Sequence, residues 1–460
     1  MKKIYLVVTY AYLLISTSCY AQFNTLLNFD GTTNGTSPAE SLLSYGTFLY
    51  GMTSYGGTNN LGTIFKILPD GTGYVNLMDF AGATNGSLPQ GSLITDGTFL
   101  YGMTQQGGIN DLGTIFKILP DGTGYVKLLD FAGATNGGFP NGTLYSDGTF
   151  LYGMTAAGGM NDIGVIFKIK PDGTNFDVLL NMGGGTTGRY PEGPLISDGT
   201  FLYGLTPAGG TSNLGTIFKI MPDGTGYLKL LNFAGGSDGS TPRGSLLSDG
   251  TNLYGMTSYG GANNFGTIFK IMPNGSGYVK LFDFTGGLDG IIPTGPLITD
   301  GTFLYGTTEW GGANDLGTIF KILPDGNSYE KLLDFDGAIM GSMPRGYLIS
   351  DGSFLYGMTS FGGTNDVGVL FKFHPTGLGF EGNTLNAITI YPNPTSGIIN
   401  ISPSISGMQS VSISNIMGKE IKNEETNIVA GSPFIIDIND QPAGIYLLRI
   451  GNFTKRIIRE

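Results

Sequence analysis

Chemistry has few places to reside in this chain of 460 residues. It contains one histidine, His374, and one cysteine, Cys19, too few for a His/Cys zinc site or a catalytic Cys–His pair. Ser-His-Asp chemistry would rest wholly on His374. A glycosidase needs two carboxylates roughly 5–10 Å apart. Glu192 and Glu309 are the acids out of keeping with their surroundings, but they belong to units three or four and six and are expected to lie far apart on a ring of units, and most aspartates sit in Asp-Gly turns. No catalytic residue, cofactor or metal is therefore assigned, and the chain is not expected to be an enzyme. Its aromatic residues offer recognition chemistry instead. Tyr55, Tyr259, Trp310 and Phe361 occupy one recurring position, Glu309 precedes the only tryptophan, and Arg243 and Arg345 fall in nearby loops. Exposed rings beside polar groups suit stacking on sugar rings or anchoring a protein partner. The competing use of these rings is to fill gaps between structural units. These seven residues are the candidate ligand-binding set.

A repeat of 51 residues must position them. Leu-Tyr-Gly recurs with its tyrosine at 50, 101, 152, 203, 254, 305 and 356, without insertion or deletion. Each unit reads as four short strands: in the second unit, a at Ser92–Thr95, b at Phe99–Thr104, c at Gly113–Leu119 and d at Tyr125–Phe131. They are rich in β-branched and aromatic residues and too short for helices. Asp96-Gly97 is a tight-hairpin signal between a and b, and Pro120-Asp121-Gly122 turns c into d. The chain opens on a lone strand d, Phe23–Phe29, and the seventh unit stops after strand c, Val369–Phe373. A closed ring needs that match, whereas a solenoid does not. The fold expected is all-β: a seven-bladed β-propeller of four-stranded blades closed by the N-terminal strand.

Comparing the seven units separates architecture from function. Leu-Tyr-Gly, a Gly-Gly pair, the Phe-Lys of strand c and a proline at 38, 89, 140, 191, 242, 293 and 344 never change. The tyrosines could form a ring of hydroxyls, but are expected to be buried with their OH bonded to backbone. The repeated lysines are read as solvated or blade-bridging. The Asn/Asp pairs beginning at 59–60 could hold Ca²⁺, yet each offers at most two side-chain oxygens on a turn that favours Asn and Asp anyway. The a–b and c–d turns hardly vary, while the b–c and d–a connections do. Alternating strand direction puts the variable pair on one face. Two residues after the Met-Thr of strand b stand Tyr55, Gln106, Ala157, Ala208, Tyr259, Trp310 and Phe361. Ring closure makes the four aromatics one continuous arc.

These units, LYGMTxxGGxxxxGTIFKIxPDG, resemble the GloVer tandem-repeat family of extracellular bacterial proteins. The resemblance implies export and surface display, and no activity. After about Thr384 the period disappears, and seven or so short strands suggest a small Ig-like β-sandwich. The strings ITIYPNPTSGIINI, SVSISNIMGKEI, PAGIYLLRI and TKRIIRE closely resemble the type A C-terminal sorting domain of the type IX secretion system. That implies passage across the outer membrane of a Bacteroidetes-type bacterium, tail removal, and release or attachment to the surface. An Ig-like accessory domain is the alternative.

Lys2 and Lys3, the apolar run Ile4–Ile15 and Ala21 read as a signal peptide over 1–21. Acylation of Cys19 as a lipoprotein is the alternative. The propeller is then expected over 22–380, a linker over 381–387 and the sorting domain over 388–460. No other stretch is long and apolar enough to span a membrane. The net charge of −12 belongs to the repeats, because the tail from 385 holds six basic and six acidic residues. So acidic a surface disfavours nucleic acid and anionic lipid. The expected partners are the secretion machinery and an extracellular glycan or protein, with the chain monomeric. A purely structural surface protein is the other reading.

Overall fold

The computed structural model describes residues 23–38, 41–375 and most of 388–459. The expected signal peptide, Cys19 and the linker 381–387 lie outside the described residues. The chain divides into two compact units after Pro375.

The first unit is all-β, its only helical element among the described residues being the 3₁₀ turn Gly287–Asp289. Each repeat forms one antiparallel sheet in the order a-b-c-d, so that seven such sheets follow one another. In the second, a is Ile94–Thr95, b Leu100–Gln106, c Thr114–Ile118 and d Val126–Asp130. Strand a is shorter than expected, and b runs two residues further. In the first three repeats the segment before strand a, such as Ser87–Pro89, also pairs with the end of b. Sequence pattern reads that segment as a loop because its invariant proline has no N–H to give a ladder.

Strand c is apolar nearly throughout because both its faces are buried. Ile115, Phe116 and Ile118 are fully enclosed. One cluster joins each sheet to the next: Tyr50, Met52, Ile64 and Phe80 of the first pack on Leu93, Leu100, Phe116 and Ile118 of the second. The seventh sheet packs on the first in the same way, through Phe29, Leu49, Phe65, Tyr356 and Met358. Phe23–Asn28 supplies the outer strand of the seventh sheet, pairing Phe23 with Phe373 and Asn28 with Val369. The arrangement is propeller-like, and the first and last repeats meet.

The invariant residues serve this packing. Six of the repeated tyrosines donate to the aspartate of the preceding a–b turn, as in Tyr101 Oη to Asp96 Oδ2, at 2.7–2.8 Å. That corrects the expected bond to backbone. In the first repeat Tyr45 replaces the aspartate, and Tyr50 instead donates to the Pro120 carbonyl at 3.4 Å. The repeated lysine bridges sheets: Lys66, Lys117, Lys168, Lys219 and Lys270 each donate to a proline carbonyl in the next sheet at 3.1–3.3 Å. Gly102 is required because a Cβ there would come within 2.6 Å of the Phe116 ring.

The second unit holds two antiparallel sheets, of three and four strands. Ile399, Ile401 and Ile436 of one share a core with Val411, Ile413, Leu448 and Ile450 of the other. Apolar alternation does not mark the strands Glu420–Ile428 and Phe453–Arg459, since polar residues dominate the first and basic residues interrupt the second.

Two outcomes are expected. Phe29 is fully buried and meets Phe65 edge-on at 5.6 Å. Phe29→Ala should therefore cost about 3–5 kcal/mol in denaturant unfolding of the full chain, as should Phe131→Ala inside the array. A loss below about 1 kcal/mol at Phe29 alone would show that ring closure contributes little. The second outcome concerns acid. Burial opposes charge on Asp96, Asp147, Asp198 and Asp249, but bonds from turn N–H groups and tyrosine hydroxyls outweigh it and hold each carboxyl below its ordinary 3.8. A depressed pKa stabilises above the unfolded value and loses that contribution as pH falls. Unfolding midpoints should thus fall below about pH 4, and Asp147→Asn should flatten part of that slope. An unchanged slope would remove these turns from the account.

Candidate functional site

Strand b ends on the variable face, where a buried threonine fixes the residues just beyond it. Thr257, Thr308 and Thr359 each donate to the carbonyl two residues on, that of Tyr259, Trp310 and Phe361, at 2.9–3.0 Å. Thr53 does the same for Tyr55. Backbone pairing holds these positions from the other side, as Ser240 with Tyr259, Ile291 with Trp310, Ser342 with Phe361 and Thr36 with Tyr55. The rings therefore project from a fixed frame. Tyr55, Tyr259 and Phe361 remain 46%, 39% and 40% exposed, and Trp310 is half-buried.

The d–a segment reaches the same face through an unusual conformation. The residue before each invariant proline has positive φ, for example Ser37 at 47°, Thr241 at 55° and Ile292 at 56°. Left-handed backbone at a non-glycine residue costs about 1–3 kcal/mol. All seven of these residues offset it by donating their N–H to a b–c carbonyl of the preceding sheet, at 2.8–3.1 Å. Beyond the proline the chain approaches its neighbour so closely that a Cβ on Gly193 would lie 2.2 Å from the Gly244 carbonyl oxygen. In the second to seventh repeats one free choice stands between proline and glycine: Gln90, Asn141, Glu192, Arg243, Thr294 and Arg345.

These choices and the aromatic positions line a single cavity of about 680 Å³. All seven sequence-predicted residues border it: Tyr55, Tyr259, Glu309, Trp310, Phe361, Arg243 and Arg345. Gln90, Asn141 and Thr294 also line it and were missed. Their signal was available, as the residue after the invariant proline changes from repeat to repeat. Glu192, expected far from Glu309 around the ring, borders the same cavity, which corrects that expectation: the post-proline segments converge, so the two acids face one space.

Each acid is held by an arginine of the next sheet. Arg345 donates from Nε and Nη2 to Glu309 Oε1 at 2.9 and 2.6 Å. The Glu309 side chain is 10% exposed and that of Arg345 54%. Arg243 Nε lies 3.7 Å from Glu192. Burial pushes the Glu192 carboxyl above its ordinary range, and Arg243 offsets this only in part. Glu192 thus has a raised tendency to hold its proton, while Glu309 is nearly enclosed and accepts two bonds from Arg345. His374 is not among the cavity residues; it follows strand c at the opposite end and meets Phe354 edge-on at 5.2 Å. The Asn/Asp pairs are turn staples: Asp111 accepts from Gly107 N and Asn110 donates to the Phe131 carbonyl. No group of three or more His, Cys, Asp or Glu that could hold a metal occurs among the described residues.

The Gloeobacter/Verrucomicrobia repeat family matches at residues 14–149, 87–262, 144–303 and 248–412, and the secretion system C-terminal sorting domain at 389–460. No curated protein matches significantly. Among solved structures, the extracellular domain of the proposed one-component system BT4673 from B. thetaiotaomicron is 13% identical with a TM-score of 0.51, covering 95% of this chain and 58% of that one. TolB from Acinetobacter baumannii is 15% identical with a TM-score of 0.38, covering 59% of each chain. The first likeness supports the fold alone.

Exposure of the two arginines and burial of Glu309 set an asymmetry that unfolding experiments can read. Arg345→Ala strands a carboxylate that is nearly out of water and should cost at least about 1–3 kcal/mol. Arg243→Ala leaves Glu192 free to take a proton and should cost well under 1 kcal/mol. Equal losses would mean the two pairs are built alike.

Proposed function

The chain belongs to the Gloeobacter/Verrucomicrobia repeat family, and from that premise we propose that it is a seven-bladed β-propeller whose aromatic-rimmed cavity binds an extracellular glycan without catalysis. The secretion system C-terminal sorting domain carries it across the outer membrane to the cell surface or the extracellular space. In this reading the tail is Ig-like and the protein acts as a monomer.

One observation carries the binding reading: four aromatic residues from adjacent sheets border one cavity, three of them exposed and Trp310 half-buried. Rings whose purpose was to fill gaps between sheets would be enclosed as Phe65 and Phe116 are. The opposite arc carries Gln106, Ala157 and Ala208, so the rim is one-sided, as a stacking platform for a sugar face would be. Glu309 is nearly enclosed and spent on two bonds from Arg345, which holds it back from a ligand and supports binding over hydrolysis.

Trp310 is the only tryptophan and reports on this rim directly. Titration of the exported protein with polysaccharides should give a saturable change in tryptophan emission, weakened about tenfold or more by Tyr259→Ala, the loss of one stacking ring. Emission indifferent to every sugar, in a protein whose Trp310 also resists aqueous quenchers, would favour a purely structural surface protein.

A further inference from the structure

The cavity has a polarity across its width. Three consecutive sheets, the fifth to the seventh, contribute both the aromatic positions Tyr259, Trp310 and Phe361 and the post-proline residues Arg243, Thr294 and Arg345. The other side offers Gln90 and Asn141. Within each ion pair the cation is the member turned to solvent: the arginine side chains are 48% and 54% exposed, against 28% for Glu192 and 10% for Glu309. Arg345 spends Nε and Nη2 on Glu309, and its Nη1 has no partner among the described residues. Between the two arginines in ring order stands Thr294, a residue of the cavity wall whose Oγ1 is buried and has no hydrogen-bond partner among the described residues. A buried hydroxyl without a partner is costly and calls for an acceptor.

We infer that the cavity selects an anionic carbohydrate, a sugar bearing a carboxylate or sulfate, with the anionic group between Arg243 and Arg345, a bond accepted from Thr294, and the sugar face on the Trp310 side. This rests on the glycan-binding reading above and narrows it. The repeats as a whole are strongly acidic, with 29 acidic against 15 basic residues over 22–384. An anionic polymer is therefore repelled by the surface as a whole, and at the cavity it meets two guanidinium groups that are the exposed members of their ion pairs. Guanidinium matches the geometry of carboxylate and sulfate oxygens, and stacking under the sugar adds the second contact.

The test is a parallel titration of the exported full chain, followed by Trp310 emission, with polygalacturonate, with a sulfated galactan and with neutral glucan and galactan. Saturable binding of one or both anionic polymers, weakening as salt rises and at least about tenfold tighter than the neutral ones, is expected. Polygalacturonate alone would assign a carboxylate, and the sulfated polymer alone a sulfate. Thr294→Val should weaken binding several-fold. Arg345→Gln strands Glu309, so the double variant Glu309→Gln with Arg345→Gln, which removes the pair as a unit, should keep the fold and lose about tenfold or more in affinity. Equal binding of neutral and anionic polymers overturns this inference and leaves the glycan reading standing. Binding of none overturns both.

Discussion

Every sheet of the repeat unit depends on having a neighbour on each side. Strand c shows this most plainly, because Ile115, Phe116 and Ile118 present buried apolar groups to both faces and only Lys117 keeps any exposure. A single four-stranded sheet of this sequence would expose half of that surface. Stability must therefore come from the joints, and the last joint exists only because Phe23–Asn28 completes the seventh sheet and lets Phe29 reach Phe65. The tight period has its origin in the same constraint. An insertion in a strand would misplace its residues for two clusters at once, whereas a substitution in a loop would not.

That division explains where variety is permitted. The turns at one end carry hydrogen bonds that secure the joints, Tyr101 to Asp96 within a sheet and Lys117 to the Pro171 carbonyl between sheets, so they cannot vary freely. At the other end the chain is held by its backbone. Threonine hydroxyls bond to carbonyls, left-handed residues donate across to the preceding sheet, and glycines let neighbouring backbones approach. Backbone restraint leaves the side chains free. The same frame carries alanine at 157 and tryptophan at 310, glutamine at 90 and arginine at 345. A rigid frame with interchangeable side chains is how a repeat scaffold acquires a recognition surface.

Charge is distributed on the same logic. The aspartates of the turns are engaged by N–H groups and tyrosine hydroxyls, so their charge serves local structure. The two glutamates at the cavity are different in kind, because each sits behind an arginine of the next sheet. Pairing across a joint ties the cavity wall together and decides which sign faces inward.

Much of this was legible in the residues alone. Period, strand order, the closing strand and the face carrying variation can all be read from invariance at 51-residue spacing, since such a repeat leaves one consistent pairing for each short apolar run. All seven candidate residues were picked out by departing from their counterparts. Other features were not legible. Tyrosine hydroxyls were assigned to backbone because a pattern does not show that the Asp-Gly turn folds its carboxylate back onto strand b. Gln90, Asn141 and Thr294 vary at the same position as Arg243 and Arg345, but only the close approach of the glycines beside them shows that all these post-proline positions meet at one cavity. The pairing of Glu309 with Arg345, 36 residues away, and the inward turn of its guanidinium are likewise products of packing. Sequence by itself determined which positions could differ, because identity at the rest reports the constraint of two-sided burial. Tertiary structure alone decided that those differing positions meet, and which charge among them is left facing the open space, because distance and exposure depend on where the joints place each backbone.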